Sequence, residues 1–252
     1  MTLEKTLTNQ TLLITGGTSR LGQAFVTRAL NHGARVFFTY HQASSQAEVL
    51  MQAGAEGFLL DLADPRAIDE FVKVIKSKTE KLDALIHNAA AVRDHTLLNM
   101  TEEEWDYVMS VNLKAPYYLT KKLLSFFLKK TKPGELASGK KIFMITSRVA
   151  LMGGFGISNY AASKAGLIAL TKSLAQELGS RKVLVNAVNP GFMKSRMTEL
   201  LPEEVIEANR MASPLEQFSD PNEVADFLVY LCSDRMSQVT GQVFHFESRK
   251  IS

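Results

Sequence analysis

The sequence predicts an α/β fold in one domain: a doubly wound, seven-stranded parallel sheet with helices on both faces. Three observations carry that prediction. Short apolar or β-branched runs alternate with longer segments of helical period. A glycine-rich turn leads from the first run straight into the first helical segment. No linker rich in Ser, Gly or Pro, no repeat and no low-complexity tract divides the 252 residues, a length that single α/β domains reach.

Seven runs read as strands: Thr11 to Thr15, Arg35 to Tyr40, Gly57 to Leu60, Ala84 to His87, Lys141 to Thr146, Val183 to Val188 and Gln242 to Phe246. Helical period occupies 21–32, 44–53, 66–79, 102–130, 158–179 and 221–233. Clear helix starts are Asp64 before Pro65, Thr101 before Glu104 and Asp220 before Pro221, because a side-chain oxygen there accepts from a first-turn amide that lacks a helical partner. The stretch 131–140 holds Pro133, Gly134 and Gly139 and reads as a surface loop. A second irregular region, 191–219, follows the sixth strand and would hang over the carboxyl edge of the sheet, where open α/β folds bind ligands.

Composition narrows the function classes. Apolar residues make up 46% of the chain and charged residues 22%, which supports a sizeable core and excludes a disordered chain. The 29 Lys and Arg against 26 Asp and Glu leave a charge of only +3, so nothing demands nucleic acid. The single Cys232 rules out an internal disulfide, and no four-ligand zinc site can be built around one thiol. His32, His87, His95 and His245 lack metal-ligand spacing, and no metal is expected. The first nine residues hold no apolar run of signal length, and no apolar stretch approaches the roughly 18 residues needed to cross a bilayer. A soluble, cytoplasmic protein is expected.

The first strand runs into Thr15-Gly16-Gly17-Thr18-Ser19-Arg20-Leu21-Gly22. Glycines let such a turn bend tightly and approach a pyrophosphate, whose charge the helix amides meet; a glycine-rich turn is also often only a turn. A dinucleotide fold of the Rossmann type next asks for an acid at the tip of the second strand, to hold a free ribose 2′-hydroxyl. Here that tip reads Thr39-Tyr40-His41-Gln42-Ala43-Ser44-Ser45, and the first carboxylate after it is Glu48. Arg20 in the turn, with His41 and Ser44 opposite, suits a 2′-phosphate, which favours NADP(H) over NAD(H). The alternative is that His41 and Ser44 only decorate a turn.

Tyr160-Ala161-Ala162-Ser163-Lys164 opens a helix, and the spacing of four places phenol and ammonium on one face. A phenol near its free pKa of about 10 is a poor acid–base group at neutral pH, and an adjacent cation would bring it toward the working range. Thirteen residues earlier, Ser147 ends the fifth strand, and Asn112 falls inside the long helix after the fourth. All would converge on the sheet edge that carries the glycine turn.

With these residues in place the chain resembles the short-chain dehydrogenase/reductase family over essentially its whole length. The glycine turn, Asp61-Leu62, His87-Asn88-Ala89-Ala90, Asn112, Ser147, Tyr160, Lys164 and Pro190-Gly191 stand in family order and spacing. The resemblance implies strand order 3-2-1-4-5-6-7, hydride transfer between a nicotinamide and a carbonyl or alcohol, and a homotetramer or homodimer paired through 102–130 and 158–179. It implies that Tyr160 protonates the carbonyl oxygen, Ser147 hydrogen-bonds it, Lys164 depresses the Tyr160 pKa and holds the nicotinamide ribose, and Asn112 binds a water leading to solvent. It further implies that Gly16, Thr18, Ser19, Arg20, Leu21, Gly22, Tyr40, Asn88, Ala89 and Ala90 line the cofactor. Asp61 and Leu62 would border the adenine, and Pro190, Gly191, Met193 and Ser195 would meet the nicotinamide and pyrophosphate.

Arg20 stands where the family has the middle glycine of the turn, and His87 and Ala90 replace the first Asn and last Gly of the Asn-Asn-Ala-Gly motif. Arg20 followed by Tyr40-His41 is similar to pteridine reductases. The stretches 159–167 and 189–193 look like bacterial 3-oxoacyl-[acyl-carrier-protein] reductases, whereas the tail from Phe246 to Lys250 departs from them. Reduction of 3-oxoacyl thioesters by NADPH is the leading expectation, pteridine reduction the alternative. A non-catalytic NADP(H)-binding sensor is a third reading, which the presence of Ser147, Tyr160 and Lys164 opposes.

A lid near 192–213 carries Met193, Met197, Leu200, Leu201, Ile206 and Met211, an apolar set that would close over an acyl chain or flat ring or else simply pack. Acyl carrier protein is acidic, so a basic patch is expected beside the pocket. Arg181 matches a position with that role in the carrier-protein reductases, and Lys129, Lys130 and Lys132 would add to it or merely suit a helix end. Arg148 would face substrate or bridge subunits. Trp105, Phe126 and Phe127 read as core or subunit-interface packing, and Cys232 as a small buried hydrophobe.

Overall fold

The computed structural model of the chain describes residues 5–42, 45–128, 139–194, 198–199 and 201–246. Its centre is a seven-stranded sheet in the order β3-β2-β1-β4-β5-β6-β7, parallel throughout. The strands are β1 Thr11–Ile14, β2 Arg35–Tyr40, β3 Glu56–Leu59, β4 Ala84–His87, β5 Lys140–Ile145, β6 Val183–Asn189 and β7 Val243–His245. Strand order reverses direction between β1 and β4, which opens a crevice at their carboxyl ends.

Alternation along each central strand builds two cores. Leu12 and Ile14 of β1, Val36 and Phe38 of β2, and Ala84 and Ile86 of β4 enter the core on one face. Their neighbours Leu13, Phe37 and Leu85 enter the core on the other. Side chains two apart share a face, and helices cover both faces, so these strands are apolar at nearly every position. The first core is covered by α1 (Arg20–Asn31), α2 (Ser45–Gln52) and α9 (Pro221–Cys232); the second by α3 (Pro65–Lys78), α5 (Ala115–Phe127) and α7 (Ser158–Leu178).

The expected caps are present. Asp64 accepts from the Arg66 amide and Asp220 from the Asn222 amide, each at 2.8 Å. Thr101 and Glu104 exchange bonds of 3.2 and 3.1 Å in a full capping box. Phe126 and Phe127 are buried, as is Cys232, while Trp105 is 37% exposed.

The single long helix expected over 102–130 is divided. Glu102–Met109 forms α4, Ser110–Lys114 a π-helical turn, and Ala115–Phe127 forms α5. Pro116 supplies the reason: it has no amide to donate, and its ring crowds the carbonyl four residues back, that of Asn112. The Ala115 amide instead reaches the Ser110 carbonyl, and such turns recur at functional sites. Two further helices were not among those expected, α6 (Val149–Met152) after β5 and α8 (Glu203–Met211) within the region expected to be irregular. Lys129, Lys130 and residues 131–138 of the expected loop, Lys132 among them, lie outside the described residues.

Candidate active site

The glycine turn packs too closely for side chains. Gly16 has φ +68°, and a Cβ there would lie 2.9 Å from the Ala89 Cα. A Cβ on Gly22 would lie 2.3 Å from the Gly16 carbonyl oxygen, and one on Gly17 2.7 Å from Phe38. Ser19 caps α1 by accepting from the Gly22 amide at 3.1 Å. Behind the turn, the Asn88 side-chain amide donates to the carbonyls of Thr15 and Gly16, at 3.0 and 2.9 Å, and to Ser19 Oγ at 3.1 Å. Thr15 Oγ1 accepts from the Asn88 and Ala89 amides at 3.1 Å. Thr18, Ser19 and Arg20 remain on the accessible side, above a helix N-terminus suited to an anion.

At the far end of this crevice two of the expected phosphate donors, Arg20 and His41, each meet a carboxylate. The Arg20 guanidinium pairs with Glu199 of the lid region, with both side chains about half exposed. His41 Nε2 lies 3.9 Å from Asp61 Oδ1, and that oxygen also accepts from the Ala63 amide at 2.8 Å. The sequence placed no acid at the tip of β2; the neighbouring β3 delivers one through space. Tyr40 leans on Phe38, ring centroids 5.9 Å apart, beside the Asp61-Leu62 pair that follows β3. Ser44 and Ser195 lie outside the described residues.

The catalytic candidates gather where β5 and α7 meet. Ser147 follows β5 and hydrogen-bonds the Tyr160 phenol. Lys164 is 1% exposed; its Nζ donates to the Ile145 carbonyl at 2.7 Å and stands 5.6 Å from the centroid of the Tyr160 ring. Thr146 Oγ1 donates to the Lys164 carbonyl at 3.1 Å. His87 is fully enclosed behind them, 2.8 Å from Thr120 Oγ1.

Burial governs the proton equilibria here. It pushes the Tyr160 phenol up to about 12, a nearby Asp94 adding to the rise and the Ser147 hydrogen bond opposing it. It pushes Lys164 down to about 8. It pushes His87 down to about 3, with help from the Lys164 charge, so this imidazole is neutral. The net shift of the phenol is upward because removal from water disfavours phenolate and ammonium alike.

Asn112 lies on the π-helical turn with its side chain committed. It accepts from the Ala91 amide at 2.7 Å and donates to the Ala91 carbonyl at 2.9 Å and to Ser163 Oγ at 3.1 Å. Ser163 in turn donates to the Tyr160 carbonyl at 2.8 Å. The side chain thus ties the loop after β4 to the Tyr160 helix, a structural task distinct from the water contact the sequence suggested. Asn159, Ser163 and Thr15 drew no role from the sequence, and their signal is burial combined with hydrogen bonds that cross between elements.

Gly191, after Pro190 at the end of β6, needs its φ of +79°, and a Cβ there would strike Ser219 Oγ at 2.1 Å. Met193 packs against the first core. In the lid, Leu201 and Ile206 are half-buried and Met211 is 53% exposed, while Met197 and Leu200 lie outside the described residues. Arg148 is half-buried beside Ser147. Arg181 is exposed on the turn that enters β6, at the amino edge of the sheet. This corrects the expected patch beside the pocket: parallel strands put that turn at the opposite end from the cleft of its own chain. Among the described residues no cluster of three His, Cys, Asp or Glu side chains could hold a metal, and no helix is long and apolar enough to cross a membrane.

A protein-family model described as "Enoyl-(Acyl carrier protein) reductase" matches residues 16–248. The 3-oxoacyl-[acyl-carrier-protein] reductase FabG of Thermotoga maritima is 37% identical over 242 residues, 94% of this chain and 96% of that protein. The reductase of the same name from Aquifex aeolicus is 34% identical over 249 residues, 96% and 98% of the two chains. Among solved structures, the Pseudomonas aeruginosa RhlG/NADP active-site complex superposes with a TM-score of 0.88 at 25% identity, covering 98% of each chain. A Sinorhizobium meliloti dehydrogenase/reductase gives 0.85 at 28% identity, covering 97% and 96%.

Proposed function

The chain belongs to the short-chain dehydrogenase/reductase family of oxidoreductases, and from that premise we propose that it is an NADPH-dependent 3-oxoacyl-[acyl-carrier-protein] reductase. The observation that carries this reading is the Ser147–Tyr160 hydrogen bond at the carboxyl edge, with Lys164 buried behind it. The names of the curated relatives support the substrate class.

A nicotinamide dinucleotide fits the crevice, because the turn at Gly16, Gly17 and Gly22 leaves no room for a Cβ and the α1 N-terminus lies beneath it. Gly16, Thr18, Ser19, Leu21 and Gly22 would hold the pyrophosphate. Asn88, Ala89 and Ala90 would border the nicotinamide ribose, with Pro190, Gly191 and Met193 beside the ring and Asp61, Leu62 and Tyr40 near the adenine. Arg20 and His41 would take a 2′-phosphate, each exchanging a carboxylate partner for it. Bound there, the reduced nicotinamide supplies a hydride.

Tyr160 gives its proton to the carbonyl oxygen of the substrate, burial holding the phenol protonated at neutral pH and the Lys164 charge easing the departure of that proton. Ser147 donates to the same oxygen as charge develops on it. Lys164 orients the ribose and places a positive charge behind the phenol. Arg181 would serve an acidic carrier protein at the cleft of a neighbouring copy in a homotetramer or homodimer, since it stands at the opposite edge of its own sheet.

NADPH with an acetoacetyl thioester should lose absorbance at the nicotinamide band, and Tyr160→Phe should abolish the loss. Turnover of dihydropterin with none of the thioester would move the assignment to pteridine reduction. Turnover of an enoyl thioester instead would favour the activity in the family model's description. Cofactor binding with no carbonyl reduced by wild type would leave only a sensor.

A further inference from the structure

Three apolar side chains stand apart in their exposure. Leu98 and Phe155 are each 94% exposed and Leu97 is 82% exposed, the highest values for large apolar residues among those described. Single apolar residues on a surface are ordinary, but these three are not scattered. Leu97 and Leu98 lie in the loop that follows β4, and Phe155 in the segment that follows β5. β4 and β5 are parallel neighbours, so both segments leave the sheet side by side at its carboxyl edge. Leu151 and Met152, also exposed, stand between Ser147 and Phe155.

Contacts fasten the two segments to each other. Asn159, fully buried, donates from its side-chain amide to the Arg93 carbonyl at 2.9 Å and accepts from the Tyr160 amide at 2.7 Å. Ser158 Oγ donates to Met100 Sδ at 3.7 Å, and a Cβ on Gly156 would lie 3.9 Å from the His95 carbonyl carbon. The strap bearing Leu97 and Leu98 is therefore held at Arg93 and at Met100 by the segment that leads from Phe155 into Tyr160. Gly153 and Gly156, with φ +68° and +74°, bend the chain on either side of Phe155. Two charged groups of the strap are engaged by α4: the Arg93 guanidinium lies 4.7 Å over the Tyr107 ring, and His95 Nδ1 is 2.9 Å from Glu104 Oε1.

We propose that Leu97, Leu98 and Phe155 form an apolar ledge for the acyl chain beyond the reacting carbonyl, which makes the enzyme prefer 3-oxoacyl groups of about eight carbons or more to acetoacetyl. This rests on the reading of the Tyr160 site as a 3-oxoacyl thioester reductase. The carbonyl must lie at Ser147 and Tyr160, and the pinned segment sets Phe155 five residues before that phenol. A chain leaving the carbonyl along this rim covers apolar surface that water otherwise touches, and each methylene it lays down adds to binding. Acetoacetyl has only a methyl group beyond its 3-oxo carbon and gains nothing from the ledge.

The test compares 3-oxooctanoyl and acetoacetyl thioesters of N-acetylcysteamine with NADPH. Four added methylenes, about half covered, should raise kcat/KM about tenfold. Phe155→Ser combined with Leu98→Ser should shrink the ratio at least threefold, chiefly through the KM of the longer substrate, with the fold checked by melting temperature. Calorimetry of 3-hydroxyoctanoyl and 3-hydroxybutyryl thioesters on the NADP+-loaded protein should show the same gap in affinity and its loss in the double variant. Equal kcat/KM and equal affinity for the two lengths would overturn the ledge, and so would a gap that the double variant leaves intact, because the chain would then lie elsewhere. Calorimetry needs no turnover, so failure of wild type to reduce either thioester would reject the proposed function while the affinity gap still decides the ledge.

Discussion

Lys164 holds its ammonium 5.6 Å from the centroid of the Tyr160 ring while donating to the Ile145 carbonyl at 2.7 Å. The strand end therefore fixes the cation beside the phenol ring. Acid–base poise depends on this pair together with the burial they share.

Tyr160→Phe keeps the ring and removes the proton. Carbonyl reduction should fall by about 10²–10⁴-fold, the usual contribution of a positioned acid, while NADPH affinity by fluorescence titration stays within a few-fold. A variant retaining a tenth of wild-type kcat would show that another group delivers the proton.

Gly22→Ala places a methyl 2.3 Å from the Gly16 carbonyl oxygen and 2.8 Å from Gly17 backbone atoms. Backbone cannot yield as a flexible side chain does, so the turn must open. Cofactor affinity should drop by at least tenfold, about 1.4 kcal/mol, and calorimetry would reveal an error if binding were unchanged.

Cofactor choice should respond to the Arg20–Glu199 pair. NADPH should bind at least tenfold more tightly than NADH; Arg20→Ala should shrink that ratio, and Glu199→Gln, by releasing the guanidinium, should enlarge it. A ratio indifferent to both changes would remove Arg20 from the 2′-phosphate site.

His87 titrates near 3 when folded against 6.5 as its ordinary value. Between those values the unfolded chain binds a proton that the folded chain refuses, so stability falls as pH drops through that window. From pH 7 to pH 4 this group should account for about 3 kcal/mol of lost stability. Urea unfolding of His87→Asn should show a correspondingly shallower acid loss; equal slopes would mean the imidazole is protonated in the fold.

Lys141 is buried on β5 and donates to the carbonyls of Cys232 and Ser233, at 3.0 and 2.9 Å, at the end of α9. Lys141→Ala strands two buried acceptors and leaves a void, with an expected loss of about 2–4 kcal/mol. The melting temperature should fall by several degrees while kcat per folded molecule is retained. An unchanged melting temperature would mean water replaces the ammonium.

Much of the fold was legible locally. Strand runs fell within a residue or two of the observed limits, and Asp64, Thr101 and Asp220 cap where read, because a cap depends on groups two or three residues away. The spacing of Tyr160 and Lys164 likewise fixed their shared helix face. Pro116 was visible too, but its consequence, a π-helical turn placing Asn112 against Ala91, needed the opposing loop.

By itself the sequence determined which residues alternate into the sheet, where the backbone must be glycine, and which phenol and ammonium lie one helical turn apart. Tertiary structure alone decided the sign of the Tyr160 shift, the carboxylates set against Arg20 and His41, and the sheet edge on which Arg181 stands. Backbone preference is set by near neighbours along the chain. Desolvation and charge pairing act through space, between Arg20 and Glu199 or Asn159 and Arg93, groups that no sequence spacing brings together.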